Sequence, residues 1–183
     1  MAEETPKHIK DFKNAERDNP DKPRRVRCLN PFRWLEVGDA GTVTPCCTPW
    51  FKGNLGKLGE QSMEEIWNSK EYQELREAMY EGGNWEKFCN ADTCPQIKND
   101  TWVPIDYISP EDRDNVPITQ EVLDHVREGK TRMDVGPTQV GVACDPRCNL
   151  KCIMCSTLTN PHRDGSSLRA AIEGINQYLP DVK

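Results

Sequence analysis

The sequence predicts an α+β chain in two parts: a small metal-stapled domain of one hairpin and two helices, then a single strand, cysteine loop and helix of the kind that opens a parallel (β/α) barrel. Three observations carry this. Two strand-like runs, residues 32–37 and 42–44, flank the turn sequence Gly38-Asp39-Ala40-Gly41, with Cys28 and Cys46 near the open ends. Two helix starts follow closely, the capping box Ser62-Met63-Glu64-Glu65 and then Ser69. Farther on, the apolar run 139–143 leads into Cys148, Cys152 and Cys155, spaced CxxxCxxC, after which Leu168, Ala171, Ile172, Ile175 and Leu179 recur at helical spacing.

Composition sets the bounds. A chain of 183 residues has room for one ordinary domain or two small ones. Its aliphatic content is thin, and nine cysteines and five tryptophans stand beside it, so metal binding is expected to supply folding free energy that the core does not. Nine is an odd number, and such cysteine spacings without an apolar leader read as metal or redox sites rather than disulfides. The sequence has no apolar run long enough to span a bilayer and no secretory h-region, so no membrane is expected and the cytoplasm is the expected compartment. A net charge of -6 and a pI near 5.2 give no reason to expect nucleic-acid binding.

Residues 1–26 are polar and interrupted by Pro6, Pro20 and Pro23, and are expected to be a flexible lead-in whose basic group Lys22, Arg24, Arg25 and Arg27 is solvated. In 27–98, the hairpin brings its open ends together, so Cys28 and Cys46 can reach one metal despite their separation in sequence. The capping box starts a short helix through Trp67; Ser69 starts a second, which carries Tyr72, Leu75 and Met79 as a packing face and is expected to end at Gly82-Gly83. Cys89 and Cys94 follow. Four cysteines at these spacings suit a structural zinc or an iron–sulfur cluster, and spacing alone does not separate the two. Residues 99–137 read as a connector with one helix, capped by Thr119, with Val122, Leu123 and Val126 on a face and Gly129 beyond; His125 is expected to be a surface or packing residue. Residues 138–183 are the strand–loop–helix unit.

A 4Fe-4S cube has four irons, so a loop offering three cysteines leaves one iron open. The CxxxCxxC loop, with Asn149 and Leu150 directly after Cys148, resembles the cluster loop of radical SAM enzymes. That resemblance implies a 4Fe-4S cluster on Cys148, Cys152 and Cys155 whose open iron binds S-adenosylmethionine, and a reaction that generates a 5'-deoxyadenosyl radical. The layout Cys28, Gly41-x4-Cys46, the helical segment around Ser62 and Ser69, and Cys89-x4-Cys94 resembles the SPASM domain or its shortened Twitch form, which accompanies many of those enzymes. This second resemblance implies an auxiliary 4Fe-4S cluster on Cys28, Cys46, Cys89 and Cys94, with Cys47 a buried thiol outside the ligand set. Together they imply the amino-terminal part of a radical SAM enzyme modifying a peptide, protein or small molecule, served by an electron donor such as flavodoxin or ferredoxin. The sequence departs from the family pattern in lacking the Gly-Gly-Glu segment that grips the SAM amino group and in placing the auxiliary domain first. Two alternatives stay open: Cys144 could close the second cluster and make the chain a non-catalytic iron–sulfur electron-transfer module, or the first site could be structural zinc.

Overall fold

The protein is seen in a computed structural model, which describes residues 24–38, 41–80, 82–108, 118–143 and, near the C-terminus, 172, 173, 175 and 176. The described elements are β1 (Arg25–Val26), α1 (Asn30–Arg33), β2 (Trp34–Val37), β3 (Thr42–Thr44), β4 (Gly56–Lys57), α2 (Met63–Trp67), α3 (Lys70–Met79), α4 (Pro95–Lys98), β5 (Val103–Pro104), α5 (Gln120–Arg127) and β6 (Gln139–Val142). They form a four-stranded sheet in the order β4-β3-β2-β6 and a two-stranded sheet β1-β5. Small sheets with a few helices on one core make this a mixed α+β architecture.

The expected hairpin is present, with Glu36 opposite Thr44 and Val37 opposite Val43. Its first strand is shorter than expected. Pro31 pre-sets a helical φ in the first turn of α1, so Phe32 and Arg33 wind as helix and the strand begins only at Trp34. Gly41 has a φ of +77°, and a Cβ there would lie 2.6 Å from the Leu58 carbonyl oxygen. Its own carbonyl accepts the Leu58 N–H at 2.8 Å, so the chain after β4 is drawn against the hairpin turn.

Both helix starts form as expected. Ser62 and Glu65 exchange the two bonds of a capping box, and the Ser69 hydroxyl accepts the Tyr72 N–H at 3.2 Å. Helix α3 ends at Met79, short of the glycines, because Tyr80 turns extended and bridges to Val26. Its buried face carries Tyr72, Leu75 and Met79, together with Arg76, whose side chain is fully buried. Arg76 Nε donates to the Pro31 carbonyl at 3.0 Å and Nη1 to the Thr131 carbonyl at 2.8 Å, while its guanidinium lies over Trp67 and Tyr72 at 4.4 and 4.5 Å. One buried cation thus ties α3 to α1 and to the segment after α5.

The helix expected between residues 99 and 137 is α5, capped by Thr119, with Val122, Leu123 and Val126 buried in the same core as Leu35, Val37 and Tyr72. This segment is joined to the rest by β5 on β1 and by the Asn68 amide, which donates to the Met133 carbonyl and accepts its N–H, each at 2.9 Å. Strand β6 pairs parallel with β2 from Trp34 opposite Gln139 to Val37 opposite Val142. Gly141 suits this register, since even a Cβ there would come within 3.2 Å of the Trp34 indole nitrogen. No helix among the described residues is long and apolar enough to cross a membrane.

Candidate metal centre

Four separate pieces of chain bring Cys28, Cys46, Cys89 and Cys94 to the open end of the hairpin. The N–H of Arg27 donates to the Met79 carbonyl at 2.7 Å, which holds Cys28 beside the end of α3, and the backbone N–H of Asn30 points at the Cys28 sulfur. Cys46 follows β3, where the Thr44 hydroxyl donates to its carbonyl at 2.7 Å. Cys89 is positioned by a local antiparallel bridge with Phe51: Lys52 N–H donates to the Phe88 carbonyl at 2.7 Å and Asn90 N–H to the Trp50 carbonyl at 2.9 Å. Cys94 sits at the N-cap of α4, its N–H donated to Asn90 O at 2.9 Å, and the Thr93 hydroxyl and Asn90 amide both reach the Pro49 carbonyl. Cys94 is buried and the other three are half-buried.

The thiols sense one another. Burial pushes the Cys28 thiol up to about 11, with a further rise from Cys94; the Arg33 cation acts the other way. Cys89 rises to about 12 through burial and the charges of Cys28 and Cys94, offset in part by Lys52 and Arg27. Burial also drives Cys46 strongly upward, reinforced by Cys28, Cys89, Cys94 and Cys47. Thiolates held this close repel one another unless a cation joins them, and thiolates are what a metal needs. Among the described residues, however, no three His, Cys, Asp or Glu side chains are gathered as around a single metal ion. Cys28, Cys46, Cys89 and Cys94 share one electrostatic neighbourhood.

Residues 28–95 match the family model of SPASM, an iron–sulfur cluster-binding domain. The match begins on the first of these cysteines and ends one residue beyond the last. An iron–sulfur cofactor is therefore the occupant that the SPASM match and the donor set both support. No curated protein and no solved structure matches the chain.

Other expectations around the SPASM segment fare differently. Cys47 is half-buried, as Cys28, Cys46 and Cys89 are, rather than buried; burial, and Glu36 nearby, raise its pKa. The basic group expected to be solvated is structural from Arg24 onward. Arg24 pairs with Asp106 at 3.0 Å, Arg25 lies over Trp102 at 5.3 Å, and Arg27 is 8% exposed. Sequence reading missed these roles; the available signal was five tryptophans in a chain with few other aromatics, since arginine stacks readily on indole. Cys144, Cys148, Cys152 and Cys155 lie outside the described residues.

Proposed function

We propose that Cys28, Cys46, Cys89 and Cys94 hold an auxiliary 4Fe-4S cluster of a radical SAM enzyme, whose SAM-binding 4Fe-4S cluster is held by Cys148, Cys152 and Cys155. The observation that carries the reading is the SPASM match laid over four cysteines that share one electrostatic neighbourhood. The CxxxCxxC loop supports the second half by resemblance. When bound, the clusters supply one-electron chemistry, with SAM as the radical source at the second site. This chain's own residues supply the enclosure: the hairpin and the bridge between Phe51 and Cys89 fix the thiolates, while Arg27, Arg33 and Lys52 offset their charge. The partners that follow are a low-potential donor such as flavodoxin or ferredoxin and a peptide, protein or small-molecule substrate.

Anaerobic reconstitution tests the reading. Two cubanes predict about eight irons and as many acid-labile sulfides per chain. Cys89→Ala should halve that content, and Cys148→Ala should halve it independently. SAM should alter the electron paramagnetic resonance spectrum of the reduced protein, and Cys144→Ala should leave that response intact. Colourless protein with stoichiometric zinc overturns the iron–sulfur assignment; loss of the SAM-site cluster in Cys144→Ala overturns the radical SAM half.

A further inference from the structure

We propose that Arg27 sets the reduction potential of the auxiliary centre as a fixed, water-shielded cation, an inference that rests on the iron–sulfur reading of the four cysteines. Arg27 directly precedes Cys28, and its guanidinium lies 4.0 Å from the Trp102 ring and 5.4 Å from the Trp85 ring. Trp85 accepts the Cys89 N–H on its carbonyl at 2.9 Å. The cation is thus placed between two ligand-bearing segments by its own backbone and by the indole it stacks on. Two indoles exclude water from its faces, so its field is screened far less than that of a surface charge. Its Nη1 pairs with Asp100, whose side chain is 70% exposed and faces solvent, and its Nε is buried with no hydrogen-bond partner. A buried N–H without an acceptor is costly in an ordinary core, and the Arg27 cation is close enough to Cys89 to act on its charge.

Four thiolates make the oxidised cubane an anion; reduction adds one electron from an external low-potential reductant and moves no proton. A nearby fixed cation favours the more negative state and so raises the potential, which depends on net charge and hydrogen bonds at the cluster.

Mediated redox titration of reconstituted protein, followed by electron paramagnetic resonance, tests this. Arg27→Gln should keep its iron and sulfide and lower the reduced-to-oxidised ratio of the auxiliary cluster about tenfold at fixed potential, equivalent to about 59 mV for one electron. Arg27→Lys should retain part of the shift. Asp100→Asn, which removes the partial offset from the solvent side, should move the ratio about twofold in the opposite direction and serves where Arg27→Gln does not fold. A fully loaded Arg27→Gln with an unchanged potential overturns the proposal, as does an unchanged Asp100→Asn where Arg27→Gln does not fold. Wild-type protein that takes up zinc and no sulfide overturns the cluster reading itself, a distinct result.

Discussion

The helix pair α2–α3 and the four-cysteine cage occupy the same SPASM-matching segment, yet they are held together in opposite ways. Each helix carries its own start signal within four residues, Ser62 with Glu65 and Ser69 with the Tyr72 amide, and each buries a stripe set by helical period. The cage draws its walls from segments far apart in sequence, and burial and mutual repulsion raise the pKa of Cys28, Cys46 and Cys89, so its sulfurs carry no attraction of their own for one another. The helices are therefore a property of the chain, and the cage is a property of chain plus metal.

The sharpest break of that comparison is metal removal. Apo protein should keep the far-ultraviolet circular dichroism of α2, α3 and α5 while the cage loses its cooperative melt, because structural metal binding is worth on the order of 10 kcal/mol. Coincident melts of apo and loaded protein would show that the cysteines are not structural ligands. The apo state should also carry a pH signature. Cys28 and Cys89 keep their protons past the ordinary thiol value of 9.0, to about 11 and about 12. Below 9 folded and unfolded chains bind these protons equally; above it the unfolded chain releases them first, so apo stability should fall as pH climbs from about 9 toward 12. Loaded protein should lack that fall, since its thiolates are already deprotonated by the metal. A flat apo profile over this window would mean that burial does not hold these thiols protonated in the folded chain.

Gly41→Ala probes the hinge between the two halves of the comparison. The new Cβ would meet the Leu58 carbonyl oxygen at 2.6 Å and sit at a φ of +77°, a combination expected to cost about 3 kcal/mol in urea unfolding and to displace Cys46. Full stability with full iron content would mean that the turn relaxes without strain. Smallest is Ser69→Ala, expected to cost about 1 kcal/mol by losing the cap on α3 while leaving iron content unchanged. Loss of iron in that variant would show that helix and cage are not separable.

The sequence showed the helices because caps and periodicity are local. Ser62, Ser69 and Thr119 each start a helix where expected, and the hairpin's turn residues placed β2 against β3. It showed the four cysteines through spacing and resemblance, and the SPASM match spans them. It did not show that residues 30–33 wind before the strand begins, since strand-like side chains there yield to the φ preset by Pro31. Nor did it show Arg27 among Trp85 and Trp102, or Arg76 reaching the Pro31 and Thr131 carbonyls, because these contacts join residues tens of positions apart and leave no local trace.

Strand β6 adds a constraint of another kind. It runs parallel to β2, and Ala143 donates its N–H to the Val37 carbonyl at 2.8 Å, so the chain leaves the sheet at the end where the hairpin turns. β3 runs antiparallel to β2, so the chain leading from it to Cys46 heads the other way. The sheet therefore acts as a ruler: the backbone leaving β6 at Ala143 is set against the strand that leads to Cys46 by hydrogen-bonded register instead of by a tether.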